Sequence, residues 1–237
     1  MLCLLEGLRL YESAFVVLED PAICVDNYKE ALRLAKYIGS HTDIAICVFN
    51  LGCAYQEMPS IRDLQQAETS YKQSLELLDP KDLLGRSKSM NQLGTVAYEC
   101  FKEARAEKAA EDILLGHINQ ALSYHYQALD ILPKNAVSDL AITHNWLGAI
   151  YGDTGHINQA LEHFRESIRY DERQGNIYGA GQTRYNVALT MRQAGRLADA
   201  QEYARAALTN FQTFDNRAVD WIQLIQQLIT DIEKAMP

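Results

Sequence analysis

The sequence contains few residues that interrupt helices, with 5 Pro and 13 Gly among its 237 residues. Because proline and glycine are the strongest helix breakers, this scarcity is compatible with long helices. No run of about 18 apolar residues occurs, so no membrane-spanning helix is predicted. Residues 1–6 also lack the basic segment of a secretory signal peptide. Hydrophobic residues nevertheless make up 48% of the chain, which is enough to build a core.

Positive charge and paired cysteines are also scarce. The formal net charge of -9 disfavours binding to nucleic acids or to anionic membrane surfaces, and it leaves basic or neutral protein segments as the expected partners.

The cysteines are odd in number and scattered, without a CxxC pair. We therefore predict reduced thiols in a cytoplasmic protein rather than a disulfide framework or a zinc site. They are Cys3, Cys24, Cys47, Cys53 and Cys100.

The motifs of common catalytic sites are missing. The sequence has no GxxxxGK[ST] phosphate loop, no HExxH metalloprotease motif and no GxSxG nucleophile elbow. His144 and His163 are near each other in the chain, but no pattern places a third metal ligand beside them. We therefore predict no enzymatic activity, no metal site and no cofactor.

What the sequence does contain is an internal repeat. Residues 116–122, GHINQAL, recur letter for letter as residues 155–161, thirty-nine positions later. Upstream of the second copy, residues 145–151 read NWLGAIY, and Ala160 and Phe164 follow. Self-similarity at a period of about 20 to 50 residues is typical of stacked repeat architectures.

This pattern resembles the tetratricopeptide-repeat family, whose signature includes L-G-x-x-Y followed by A-x-x-x-F. The small residue of the L-G pair recurs at intervals of 42, 54 and 40 residues, at Gly52, Gly94, Gly148 and Ala188. These intervals exceed the family's usual period of about 34 residues. They resemble the longer-repeat branch typified by kinesin light chains, and the sensor regions of bacterial signalling ATPases.

The resemblance implies an all-α fold, a right-handed superhelical solenoid that forms one domain over residues 1–237. Each helical hairpin leaves an apolar face that only a neighbouring hairpin can bury. The five expected hairpins, of which the third is elongated, cover residues 2–38, 41–79, 82–132, 137–174 and 176–213, and a capping helix covers residues 216–235. The expected helices are 2–18, 22–38, 41–57, 61–79, 82–114, 117–132, 137–153, 157–174, 176–193, 197–213 and 216–235.

Each position of the signature has a packing role. The small residues are expected where the two helices of one hairpin approach closely. Large residues are expected to fill the space between adjacent hairpins, and they include Tyr71, His125 and Phe164. Gly155 and Gly195 are expected at hairpin turns, where a residue with positive φ is needed.

One hairpin contains an insertion. In this repeat 27 positions separate the small residue from the following alanine, against 12 in the next repeat. The added residues, mainly 101–112, include no Gly or Pro and favour helix. Because Gly116 matches the turn glycine Gly155, the simplest placement extends the first helix to residues 82–114. The alternative splits the extra residues between both helices. The projection is either a solvated extension or an arm that contacts a partner.

In tetratricopeptide-repeat proteins the first helix of each pair lines a concave groove, and the residue before the L-G pair faces it. The resemblance places Asn50, Gln92, Trp146 and Asn186 there, with Asn145 beside them. A carboxamide donates and accepts hydrogen bonds at once, so a ladder of carboxamides can hold the backbone of an extended peptide. The asparagine ladder of related proteins matches at Asn50 and Asn186, whereas Gln92 matches by chemistry only. Trp146 is either a hydrophobic anchor or a packing residue.

The same face carries further candidate residues for peptide binding, Lys88, Tyr185 and Arg192. The co-chaperone branch of the family binds a C-terminal carboxylate with a cluster of Lys, Asn and Arg. Lys88 and Arg192 lie in non-adjacent repeats, so we do not expect that cluster here.

The favoured function is a protein-interaction scaffold that binds a peptide or a partner segment in the groove, without nucleic acid or membrane. One alternative is a sensor or autoinhibitory module excised from a larger signalling ATPase or effector, since the chain begins inside a degenerate repeat. Another is a structural array that forms a homo-oligomer through its terminal helix.

Overall fold

The fold is helical throughout the part of the chain that the structure describes. The structure is a computed structural model, and it describes residues 21–236. These residues form ten α-helices and one short 3₁₀ helix without any strand, which confirms the all-α prediction. The α-helices are α1 (Pro21–Ile38), α2 (His41–Glu57), α3 (Leu64–Leu77), α4 (Leu83–Ala106), α5 (Glu111–Ile131), α6 (Val137–Asp153), α7 (Ile157–Arg173), α8 (Ile177–Gln193), α9 (Leu197–Gln212) and α10 (Val219–Ala235). The helix predicted over residues 2–18 lies outside the described residues.

The chain divides into two compact units, Met1–Ile131 and Leu132–Pro237. In the first unit α1 packs on α2, the pairs α2–α3 and α4–α5 form hairpins, and α3 packs against α4. In the second unit α6–α7 and α8–α9 form hairpins, α7 packs against α8, and α10 covers α9. Each unit therefore contains stacked helical hairpins, and α10 lies at the predicted position of the cap. The single domain over residues 1–237 stays a prediction.

Local sequence explains where most helices begin and end. Four helices begin after a Ser, Asp or Asn whose side chain accepts a hydrogen bond from the backbone N–H three residues on; these caps are Ser40, Asp63, Asp82 and Asn176. Gly155 and Gly195 have φ of 79° and 72°, which confirms their predicted place in the turns. The other predicted helix bounds agree to within three residues, except in the elongated hairpin.

The three glycines of the signature lie directly beneath large rings of their own hairpins. A Cβ on Gly148 would lie 2.6 Å from the ring of Phe164, closer than real Cβ atoms approach other atoms. Tyr71 covers Gly52 in the same way, and His125 covers Gly94. Phe164 also packs in one buried cluster with Val187 and Met191 of α8, so it fills the space between adjacent hairpins as predicted.

The elongated hairpin differs from the simplest placement of the insertion. The predicted helix over residues 82–114 is wrong, because α4 ends at Ala106 and α5 begins at Glu111. Lys108 adopts a positive φ of 57° in the turn, and Gly116 lies within α5 instead of in a turn. The alternative, in which the extra residues lengthen both helices, is correct. The added turns belong to the hairpin that α4 and α5 form, and most of their side chains are exposed, including Ile113 at 48% and Leu115 at 53%.

Candidate functional site

In the second unit the structure brings two predicted site residues together. Asn145 lies on α6 and Asn186 on α8, the first helices of successive hairpins, and these two helices contact each other. The Nδ2 of Asn186 donates a hydrogen bond to the Oδ1 of Asn145 over 3.0 Å. Both side chains are half-buried. The two carboxamides therefore form a hydrogen-bonded pair at a partly accessible surface.

Three other predicted residues lie on the same two helices. Trp146 is half-buried on α6, next to Asn145. Tyr185, next to Asn186 on α8, contacts the Trp221 ring of α10 edge-to-face, with 5.5 Å between ring centroids. Burial raises the pKa of Tyr185, and the charge of Arg192 opposes that rise. The Tyr185 side chain thus takes part in packing the terminal helix, while Arg192 is exposed near the end of α8.

The remaining predicted residues belong to the first unit. Asn50 is half-buried on α2, and Lys88 is exposed on α4. Gln92 is directed inward, because its Nε2 lies 3.4 Å from the Tyr71 hydroxyl and 3.9 Å from Cys53 Sγ, within reach of a weak hydrogen bond to each. Its amide therefore contributes to the interior of this unit, and its contact with a peptide stays a prediction.

Tyr71 connects Gln92 to a polar network that the sequence did not indicate. The Tyr71 hydroxyl donates to Gln56 Oε1 over 2.8 Å, and Gln56 Nε2 donates to Glu99 Oε1 over 3.1 Å. Arg62 completes the network with an ion pair to Glu99 at 3.1 Å. This network links three helices and the loop before α3, so it stabilises the elongated hairpin against its neighbour.

His144 and His163, which belong to the same repeat, are adjacent in the fold. Their Nδ1 atoms lie 3.0 Å apart, so one ring carries its proton on Nδ1 and donates to the other. Burial lowers the pKa of both rings, and for His144, which titrates at about 4, the neighbouring His163 adds to the effect. Tyr151 stacks on the His163 ring at 5.5 Å. Two neutral imidazoles that contact each other and each stack on a tyrosine ring are typical of a packing contact between α6 and α7.

Neither a metal centre nor a membrane segment is found in the described part of the chain. No group of three or more His, Cys, Asp or Glu side chains within residues 21–236 is placed to hold a metal ion. None of the helices in this range combines the length and the apolar character that a bilayer crossing needs.

Comparison with known proteins agrees with this architecture. Residues 139–213 match the family model for the tetratricopeptide repeat. These residues therefore form tetratricopeptide repeats. Among solved structures the chain is similar to BtubC (BKLC) from P. vanneervenii, with a TM-score of 0.70 and 15% identity over 91% of this chain and 84% of that chain. A search of curated proteins found no match.

A sequence identity of 15% together with this TM-score shows that the two proteins share a fold, and it shows nothing about function. Tetratricopeptide repeats are generally non-catalytic modules for protein interaction. The longer-repeat branch of the family, which the spacing resembles, stays a prediction.

Proposed function

We propose that this tetratricopeptide-repeat protein binds an extended segment of another polypeptide, and that Asn145 and Asn186 hold the backbone of that segment. The proposal is carried by the hydrogen bond between the two carboxamides. It aligns amides from successive hairpins on adjacent first helices, as a ladder that contacts a peptide requires. The pairing also restricts both side chains before a partner arrives, which lowers the entropy lost on binding.

The pair keeps most of its hydrogen-bonding capacity for a partner. Two carboxamides offer four N–H donors and two acceptor oxygens. Their mutual bond uses one donor and one of the lone pairs on Asn145 Oδ1. A peptide backbone alternates donors and acceptors, so it can bond to both side chains whatever its sequence. Trp146 and Arg192, on the same helices, supply an apolar surface and a positive charge for side chains of the partner.

Asn50 is the matching candidate in the first unit. It occupies the same place in its repeat as Asn186, two residues before the small residue of the signature, and its side chain is half-buried. We propose that Asn50 contacts a partner in the same way, with Lys88 contributing charge from α4.

We also propose that the protein acts without catalysis, in a reducing compartment such as the cytoplasm. Cys47, Cys53 and Cys100 are free thiols. Burial raises the pKa of all three, that of Cys47 to about 11, so they remain protonated at neutral pH and weakly reactive. Thiols of this kind fit a packing role.

Peptides selected against the purified protein from a random display library provide the test. The dissociation constant of a selected peptide is measured by calorimetry for wild type and for the double variant Asn145→Ala/Asn186→Ala. Loss of two or more hydrogen bonds predicts at least about tenfold weaker binding. Asn50→Ala is measured in parallel for the first unit.

The matched control is Asn119→Ala/Asn158→Ala, which removes two exposed asparagines from the second helices of two hairpins. This variant should bind like the wild type. Peptide affinity within twofold of wild type for the Asn145→Ala/Asn186→Ala protein, with its helical content intact, contradicts the proposal.

A further inference from the structure

A small cavity in the second unit adjoins the amide pair. It measures about 160 Å³ and lies between α6, α7 and the beginning of α8. Its polar lining includes Asn145, Asp171, Asn176 and Gln182. Sites for drug-sized ligands run from about 300 Å³ upward. This cavity therefore suits one small polar group, such as the end of a side chain.

Asp171 is the charged residue in the lining, and it is nearly buried, with 5% of its surface exposed. It accepts hydrogen bonds from Asn176 Nδ2 at 2.7 Å and from Gln174 Nε2 at 3.1 Å, and both bonds go to Oδ1. Within residues 21–236 no hydrogen bond or ion pair to Oδ2 is formed. One carboxylate oxygen is thus held by the turn, and the other remains for a ligand.

The repeat register shows that this carboxylate is unusual. Asp171 follows the ring position of its repeat, Phe164, by seven residues. The corresponding residues of the other repeats are apolar and buried: Ala35 in the first repeat, and the larger Leu78, Leu132 and Phe211 in the remaining three. Packing alone would therefore favour a large apolar side chain at position 171. A carboxylate at a core position costs stability, which calls for a reason outside packing.

Gly179 keeps the second oxygen accessible. This glycine also lines the cavity, and a Cβ built on it would lie 2.6 Å from Asp171 Oδ2. Any side chain at position 179 would consequently fill the space beside that oxygen. The combination of Asp171 with Gly179 leaves a negatively charged recess of about the size of a planar cation.

No cation of the described chain compensates this charge. Asp171 takes part in none of the ion pairs within residues 21–236. Burial raises the pKa of Asp171, and the Asn176 and Gln174 amides only partly oppose that rise. A nearly buried carboxylate gains most from a partner that brings both positive charge and several N–H donors.

We propose that this cavity binds the cationic end of an arginine or lysine side chain of the partner polypeptide, with Asp171 as its counter-ion. The guanidinium or ammonium group donates to Asp171 Oδ2 and to the amide oxygens of the lining. The proposal rests on the peptide-binding function proposed above, because Asn145 belongs both to the amide pair and to the cavity. The new element is the class of side chain that the partner presents next to the paired amides, namely a basic one.

The test uses small probes, so it does not depend on knowing the partner. Nα-acetyl-arginine amide is titrated into ¹⁵N-labelled protein, and Nα-acetyl-citrulline amide, which has the same shape without the charge, serves as control. We expect saturable shifts at the Gly179 amide and the Asn145 and Asn176 side chains, with a dissociation constant on the order of 1 mM. Citrulline should bind at least tenfold more weakly. Equal shifts with both probes, or none with arginine, overturn the proposal.

Two variants assign the effect to the carboxylate. Asp171→Asn and Asp171→Leu, the latter carrying the apolar residue of the other repeats, should each weaken arginine binding at least tenfold. The matched control Asp220→Asn removes an exposed carboxylate from α10 and should bind like wild type. If either variant fails to fold, the comparison of arginine with citrulline on wild type still decides. Unchanged arginine binding by a folded Asp171 variant overturns the proposal.

Failure here is separable from failure of the proposed function. A selected peptide that needs Asn145 and Asn186 while arginine fails to bind leaves the function intact and removes the cavity's role. Conversely, replacing the basic residue of a selected peptide by glutamine should weaken binding to wild type and leave binding to Asp171→Asn unaffected. An equal loss for both proteins counts against the cavity.

Discussion

The ring of Phe164 lies over Gly148 so closely that a Cβ on the glycine would come within 2.6 Å of it. Phe164 is fully buried and contacts the next hairpin, so it has little room to move. Gly148→Ala should therefore lower the free energy of unfolding by about 1–3 kcal/mol, although alanine is the better helix former. Urea denaturation followed by circular dichroism measures the change.

Gly116 gives the opposite expectation and serves as the control. It also lies within a helix, α5, but nothing comes within 4 Å of the point where its Cβ would be. Gly116→Ala should raise the free energy of unfolding by up to about 1 kcal/mol through helix propensity alone. A stabilised Gly148→Ala protein would show that the contact with Phe164 does not constrain this position.

The substitution Lys108→Gly tests where the first helix of the elongated hairpin ends. The two possible placements predict changes in stability of opposite sign. The φ of 57° at Lys108 lies in the left-handed region, which costs a residue with a Cβ about 1–2 kcal/mol. Lys108→Gly should therefore stabilise the protein by up to about 1 kcal/mol. If α4 ran on to residue 114, the same substitution would fall within a helix and destabilise the protein by about 1 kcal/mol. Thermal and urea denaturation distinguish the two outcomes.

His125 predicts a loss of stability in acid. Burial lowers the pKa of its ring from 6.5 to about 3, so the folded state keeps it neutral. Below pH 6.5 the unfolded chain binds a proton that the folded chain does not, and stability falls until the pH reaches the folded pKa. At pH 5 this amounts to about 2 kcal/mol.

The variant His125→Phe should remove that contribution. The loss of free energy of unfolding between pH 7 and pH 5 should be smaller than in wild type by about 2 kcal/mol. Asn91 also loses its 3.0 Å contact with the ring, but this cost is present at both pH values and cancels. If the stability of wild type and of His125→Phe depended on pH in the same way, His125 would take up its proton in the folded state at the same pH as in the unfolded chain.

Trp221 anchors the terminal helix to the preceding hairpin of the second unit. Its ring stacks on Phe211 with 4.9 Å between centroids and an angle of 2° between planes. Trp221→Ala should cost about 2–3 kcal/mol of unfolding free energy, because it removes this stack and the contact with Tyr185. Leu224→Ala on the same helix is the control, since Leu224 is 47% exposed and should change stability by less than about 0.5 kcal/mol. Equal effects of the two variants would contradict the capping role.

The candidate site was only partly predictable. Asn186 was identified from its register and Asn145 as the neighbour of the register position Trp146, and the structure joins the two amides by a hydrogen bond. The inward direction of the Gln92 side chain could not be predicted, because it depends on the hydroxyl of Tyr71 in another helix. Asp171 was missed although the sequence carries its signal, an acidic residue where the other repeats have the apolar residues Ala35, Leu78, Leu132 and Phe211.

The repeat sequence alone determined the helical class, the hairpins, their turn glycines and the small residues beneath the rings. These features follow from periodicity and from backbone conformation, which act over a few residues of one chain segment. Only the tertiary structure decided how the insertion divides between α4 and α5, which amides pair, and where a buried carboxylate borders a cavity. Those outcomes depend on contacts between residues far apart in the chain. The energy of burying such a residue is set by the side chains of other helices that pack against it.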